Sequence, residues 1–236
     1  EYAYFGRSVW QQTLNLNNEE KAELIRLLQE NYRPENRVYR YNFFYDNCAT
    51  RPRDKIEESI AGKVIYPAKP QDGSRSFRDI VHQYCKGHPW ARFGIDLCIG
   101  SEADRPITQR QMMFAPFYLM DAFAGAQIEN DSIQRPLAEA ARLIVDATPE
   151  TDESGWIFTP LQCALLLFIL TVGATIYGIR RRTGLWGVDF FLFSAAGIVG
   201  CVLAFLALFS EHPAVSSNFL LLVFHPGQLL FLPYII

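Results

Sequence analysis

Charge is scarce in the last third of this 236-residue chain: from Trp156 to Ile236 the only Lys, Arg, Asp or Glu residues are Arg180, Arg181, Arg182, Asp189 and Glu211. A water-exposed surface is excluded for that third. The uncharged runs 156–179 and 190–210 are 24 and 21 residues long, each enough to cross a hydrocarbon core of ~30 Å at ~1.5 Å per helical residue. A third run, 213–236, is also uncharged, but Pro213, Pro226, Gly227 and Pro233 interrupt it. It reads as a broken, re-entrant or truncated membrane segment.

Other absences narrow the chemistry. The cysteines and histidines show none of the usual metal-ligand spacings, and no Gly-rich loop is present to cradle a phosphate. Lys and Arg are scattered among acids and the net charge is −3, which excludes a nucleic-acid partner. No cofactor or metal is expected. The chain lacks an initial Met, a signal peptide and an apolar N-terminal span, so a translocated domain here implies further residues upstream, as the apolar end at Ile236 implies more downstream.

The arginines at 180–182 make the loop between the first two spans the cytoplasmic one. The charged N-terminal part then lies on the opposite side. The expected organisation is a periplasmic domain over 1–150, a linker at 151–156, spans at 157–179 and 186–210 flanking a cytoplasmic arginine loop at 180–185, a periplasmic loop at 211–218, and a third, truncated or broken segment at 219–236. Of five cysteines, Cys48, Cys85 and Cys98 fall in the exported domain. A disulfide between Cys85 and Cys98 would leave one free thiol.

Asn17 and Asn18 ahead of Glu19 and Glu20, with Leu24, Leu27 and Leu28 at helical spacing, predict a helix over 18–32 that Pro34 stops. Residues 37–45 alternate aromatic and polar side chains and predict a half-buried strand. A helical pattern runs from just after Cys48 to near Gly62. A Pro/Gly/Ser loop is expected at 66–76, a helix at 77–84, an aromatic-rich connection at 89–100, helices at 109–126 and 132–147, and a polar linker at 146–155.

Cys48 therefore stands at a strand–helix junction. A thiol becomes a useful nucleophile when its thiolate is populated, and a helix N-terminus favours the anion. Arg51 and Arg53 add positive potential within one turn, and Asn47 offers an amide to donate or orient. Pro52 allows two arrangements: a tight turn at Cys48 before a helix opened by residues 50–52, or a distorted first turn.

The run Y-N-F-F-Y-D-N-C-A-T-R-P-R-D at 41–54 resembles the cysteine signature of the Lnb-type periplasmic domain, found in lipoprotein N-acyltransferases of Bacteroides relatives. The resemblance extends through the entry at 7–16, Ser76 to Asp79, Trp90 with Phe93, Gly94 and Asp96, Gly100 with Asp104, and Met113 and Phe114 with Pro116. It implies an α+β thiol-enzyme domain of permuted papain or NlpC-like plan, missing its N-terminal part, followed by transmembrane helices in a bacterial inner membrane. Cys48 would be the nucleophile, supported by Asp46, Asn47, Thr50 and Arg51, with Tyr41, Tyr45, Arg53, Arg78 and Trp90 binding substrate. The family's histidine lies in an F-G-H segment ahead of the cysteine. Only fragments of it occur here, so the base is expected upstream of Glu1, with His82 as a substitute.

The implied partners are a phospholipid acyl donor, a diacylated lipoprotein acceptor and the membrane itself. Cys48 would carry the acyl chain as a thioester between them. Two other readings stay open: a cysteine hydrolase (peptidase, amidase or phospholipase) on the same scaffold, and a non-catalytic envelope domain in which Cys48 is structural.

Overall fold

A computed structural model describes residues 2–68, 75–130, 133–147 and 158–235. The chain divides into two compact units, Glu1–Ile80 with Pro106–Asp152, and Val81–Arg105 with Glu153–Ile236. The loop at 66–76 and the linkers at 146–155 and 151–156 fall largely or wholly outside the described residues.

The first unit mixes helices with two small antiparallel sheets. In chain order it holds β1 (Val9–Gln11), α1 (Asn18–Tyr32), α2 (Thr50–Ser59), β2 (Lys63–Ile65), the start of α3 (Phe77–Tyr84), and, after the other unit's α4 (Pro89–Cys98), α5 (Gln109–Met112), α6 (Pro116–Gly125), β3 (Gln127–Asn130), β4 (Ile133–Pro136) and β5 (Arg142–Val145). β1 pairs with β5, and β2, β3 and β4 form the second sheet in that order. Asn17 caps α1: its side chain accepts from Glu20 N–H at 2.8 Å, while the Glu20 carboxylate accepts from Asn17 N–H at 2.9 Å. Arg135 on β4 reaches the same carboxylate at 2.5 Å, and Glu20 is almost wholly buried. One ion pair thus ties the start of α1 to the sheet. The core beneath joins Leu16, Ile60, Phe123, Ile128 and Leu137.

Several expectations are corrected. Residues 37–45 form no strand among the described residues: Asn42 and Asp46 exchange backbone hydrogen bonds at 3.0 and 2.9 Å, and the Asn42 side chain accepts from Phe44 and Tyr45 N–H. Local side-chain acceptors take the N–H groups that a neighbouring strand would need. The stretch 89–100 is a helix, α4, because Pro89 occupies its first turn, where a missing N–H costs nothing. The helix expected over 109–126 is two, since Pro116 cannot sit inside one. Residues 132–147 hold strands β4 and β5 in place of a helix, and Pro136 closes the pairing of β4 with β3.

The second unit contains α4, α7 (Pro160–Arg181) and α8 (Trp186–Phe209), the two helices long and apolar enough to cross a membrane. Leu161, Phe168, Ile169, Phe205 and Leu208 all point outward, which suits lipid and not water. Thr159 caps α7 with Gln162 and Pro160 in its first turn, and Arg182 ends it in a left-handed conformation. The third segment is broken into 3-10 turns at Phe219–Leu222 and Pro226–Tyr234. It lies so close to α8 that a Cβ on Gly200 would stand 2.5 Å from the Phe224 carbonyl oxygen.

Residues 81–105 group with the membrane helices and not with the rest of 1–150. Hydrogen bonds explain why: Gly100 N–H donates to Ala214 O at 2.9 Å and Asn218 Nδ2 donates to Leu97 O at 2.8 Å. Cys85 and Cys98 are free thiols, so the disulfide they could form is not made. His88 N–H bonds Cys85 O, which keeps Cys85 at the start of α4. Cys98 stands at the far end of that helix, beyond the ~7 Å Cα separation a disulfide spans.

Replacing Arg135 by Ala leaves the Glu20 carboxylate buried beside no cation. A loss of ~3–5 kcal/mol is expected, read as a lower urea midpoint for the first unit, and replacing Glu20 by Gln in the same chain should recover part of it.

Candidate active site around Cys48

Cys48 is exposed and precedes Ala49, the N-cap residue of α2. Of the two arrangements that Pro52 allows, the first is formed: a turn at Cys48, then a helix that opens at Thr50 with Pro52 in its first turn. What holds the turn is Asn47, which is 3% exposed. Its Nδ2 donates to Phe43 O and Phe114 O, both at 2.9 Å, and its Oδ1 accepts from Ala49 and Thr50 N–H at 2.8 and 2.9 Å. Its own N–H donates to Thr50 Oγ1 at 2.8 Å. Four backbone groups from three stretches of chain thus converge on one amide.

The Phe114 carbonyl is available because Pro116 ends the α5 pattern and starts α6, so Phe114 lies between helices with no helical N–H to pair with. Below the turn, Phe44, Phe77 and Phe114 are buried against one another, with ring centroids 4.3 Å apart for Phe44 and Phe77, 5.7 Å for Phe44 and Phe114, and 5.1 Å for Phe77 and Phe114. Of the aromatics in 37–45, Phe44 is the one in this floor, while Tyr39, Phe43 and Tyr45, expected to face a core, are exposed.

Asn47 also alters the expected electrostatics. The N–H groups of Ala49 and Thr50 are bonded to its side chain and that of Arg51 to its carbonyl, so the open helix N-terminus expected beside Cys48 is already filled. Tyr41 lies against Cys48 instead. Burial pushes the Tyr41 phenol pKa up, and the charge and hydrogen bond of the Cys48 side chain push it further, while the Cys48 N–H bonded to the phenol oxygen pulls it down. Arg51 supplies positive charge: its Nε pairs with Asp46 at 3.1 Å, its guanidinium stacks 3.5 Å over the Tyr39 ring, and its Nη1 is buried without a hydrogen-bond partner among the described residues.

Arg53 is turned inward, 6% exposed, bonded through Nε to Asp54 at 2.8 Å and through Nη1 to Arg110 O at 3.0 Å. Its place is structural. Arg110 in turn grips Asp54 and Glu57 of α2, each at 2.8 Å, and Tyr66 donates to Glu57 at 2.5 Å. This clamp between α2 and α5 went unread in the sequence, because Arg110 lies 56 and 53 residues from its partners Asp54 and Glu57. Tyr45 is exposed with its ring edge on Phe77, and Arg78 lies on α3.

His82 and Trp90 belong to the second unit. His82 Nε2 is 2.7 Å from Asp96 Oδ1, and Trp90 Nε1 donates to Phe158 O at 2.8 Å. Tyr41 interacts with the Cys48 side chain, and Asn47 with Thr50, and Asp46 with Arg51, are bonded to each other on either side of it in the chain.

Residues 1–79 match the model of the Lnb N-terminal periplasmic domain, and residues 151–236 match that of the Lnb transmembrane domain. The first match ends one residue before Ile80, where the first unit also breaks. No curated protein and no solved structure matches the chain.

Two outcomes test the turn. Replacing Asn47 by Ala strands four backbone groups, and at ~1–3 kcal/mol for each that stays dry the urea midpoint should drop by at least ~3 kcal/mol equivalent. Replacing it by Asp should cost a similar amount, since a carboxylate would face the carbonyls of Phe43 and Phe114. Burial raises the Glu57 carboxyl pKa, but the bonds from Arg110 and Tyr66 outweigh it and hold the group below its ordinary 4.5. Its stabilising contribution is therefore complete above pH 4.5 and lost as pH falls through the lower folded value. An acid titration of stability should show this loss, and Glu57→Gln should flatten it.

Proposed function

Since the chain belongs to the Lnb-type family, with a periplasmic part and a transmembrane part in one polypeptide, we propose that it is a lipoprotein N-acyltransferase of a bacterial inner membrane and that Cys48 is its nucleophile. The observation that carries this reading is an exposed thiol on a turn that the protein immobilises at the start of a helix, in a chain that also carries two helices long and apolar enough to cross a membrane. A mixed α/β unit with its cysteine just ahead of a helix cap suits the permuted papain or NlpC-like plan.

A general base takes the thiol proton, and the Cys48 sulfur attacks an ester carbonyl of a phospholipid. Collapse of the tetrahedral intermediate forms a thioester and releases a lysophospholipid, whose alkoxide oxygen takes up a proton. The N-terminal amine of a diacylglyceryl lipoprotein then attacks the thioester, giving an amide and restoring the thiol. The Tyr41 hydroxyl donates to the sulfur, Arg51 holds positive charge beside it, and Asn47, with Thr50, positions the turn without touching substrate. Tyr45 and Arg78 remain part of the proposed substrate surface, with both lipid substrates confined to the bilayer the protein spans.

The full chain reconstituted with labelled phospholipid and a diacylated lipopeptide should yield triacylated peptide. Cys48→Ser should cut that rate by ~10³-fold or more, and Tyr41→Phe by ~10²-fold. Labelled free fatty acid as the sole product would instead establish a hydrolase, and full activity in Cys48→Ser would remove Cys48 from the chemistry.

A further inference from the structure

The second unit contains a pocket of about 420 Å³ that the Cys48 chemistry does not use, within the ~300–1,000 Å³ range of small-ligand sites. Its two walls differ. One is the first turns of the membrane helix α7, with Pro160, Leu161 and Ala164; the other is α4, with Phe93, Arg92 and Asp96. The apolar wall thus continues straight into a span, and the polar wall stands at its mouth. Trp90, a residue type enriched at the headgroup level, donates through Nε1 to the Phe158 backbone carbonyl just ahead of α7. No α4 residue is fully buried, and Phe93 is nearly half exposed although apolar. Such a helix suits the membrane surface better than a water-facing one.

The polar wall carries one charge of each sign, a helical turn apart. Arg92 Nε lies 3.7 Å from Asp96 Oδ2, too long for a hydrogen bond, and the Arg92 side chain is 53% exposed. Asp96 is oriented from behind by His82, 2.7 Å from its Oδ1. This carboxylate and guanidinium, an opposite-charge pair at the pocket wall, complement a ligand that holds an anion and a cation a few ångströms apart.

We propose that this pocket docks one zwitterionic glycerophospholipid with a primary-amine headgroup: the phosphate on Arg92, the ammonium on Asp96, and the start of an acyl chain along Leu161 and Ala164. If the acyltransferase reading holds, this is where the donor lipid waits, a step that rests on that reading; the lipid site itself does not.

Binding is measured on the full-length Cys48→Ser chain, so that no acyl transfer intervenes. The protein is purified in detergent with equal phosphatidylethanolamine and phosphatidylglycerol, and retained lipid is counted by native mass spectrometry. Phosphatidylethanolamine should be retained in preference, and Arg92→Glu should lower its retention about tenfold. Ala164→Trp, which fills the apolar wall without altering charge, should lower it as well, whereas Arg105→Glu, outside the pocket, should not. Equal retention of both lipids, or equal retention by Arg92→Glu and its parent, overturns the site. Selective retention combined with a Cys48 protein that transfers no acyl chain upholds the site and overturns the acyltransferase reading alone.

Discussion

The Cys48 turn depends on one side-chain amide. Asn47 fills both of its donors and both lone pairs of its oxygen with backbone groups from the 42–46 loop, the start of α2 and the break between α5 and α6. Each bond alone is worth ~1 kcal/mol net, too little to matter singly. The constraint is that all four meet on one side chain, with the Thr50 hydroxyl adding a fifth bond by accepting the Asn47 N–H. Only a side chain with two donors and a two-lone-pair oxygen in one plane fits, so the turn has one geometry. The thiol stands where that geometry puts it.

This arrangement changes how the cysteine is to be understood. A helix N-terminus stabilises an anion through unpaired N–H groups, and here Asn47 pairs them. Arg51 is paired with Asp46 and stacked on Tyr39, and it is Tyr41 that interacts with the Cys48 side chain. Rigidity and polar contacts are thus supplied by different residues. The aromatic floor of Phe44, Phe77 and Phe114 keeps water from competing for the buried amide, which is why a polar hub tolerates so little exposure.

Much of this was legible in the sequence where the signal was local. The cap at Asn17, the 77–84 helix, the uncharged runs and the D-N-C turn each depend on neighbours within a few residues. Errors arose where tertiary partners decide. The alternation at 37–45 has strand periodicity but no partner strand, and Asn42 closes it into a loop. The 132–147 stretch has helical composition, yet Leu137 is fully buried on a sheet edge. The stretch 89–100 was read as a connection although Pro89 serves as a helix starter. Nothing in the sequence marked 81–105 as part of the membrane unit, because Gly100 and Asn218 meet only after the chain has passed through two spans.

The second unit holds more than the two apolar helices, since α4 belongs to it. α4 and the first turn of α7 make a surface with a polar side and an apolar side, suited to a lipid held at the headgroup level, while the first unit presents a thiol. The central claim is that Cys48 carries the acyl chain. The most direct measurement is the mass of the Cys48 peptide after the full chain meets phospholipid with no amine acceptor present. A hydroxylamine-labile acyl adduct on Cys48 is expected; an unmodified Cys48 peptide alongside accumulating lysophospholipid would contradict it.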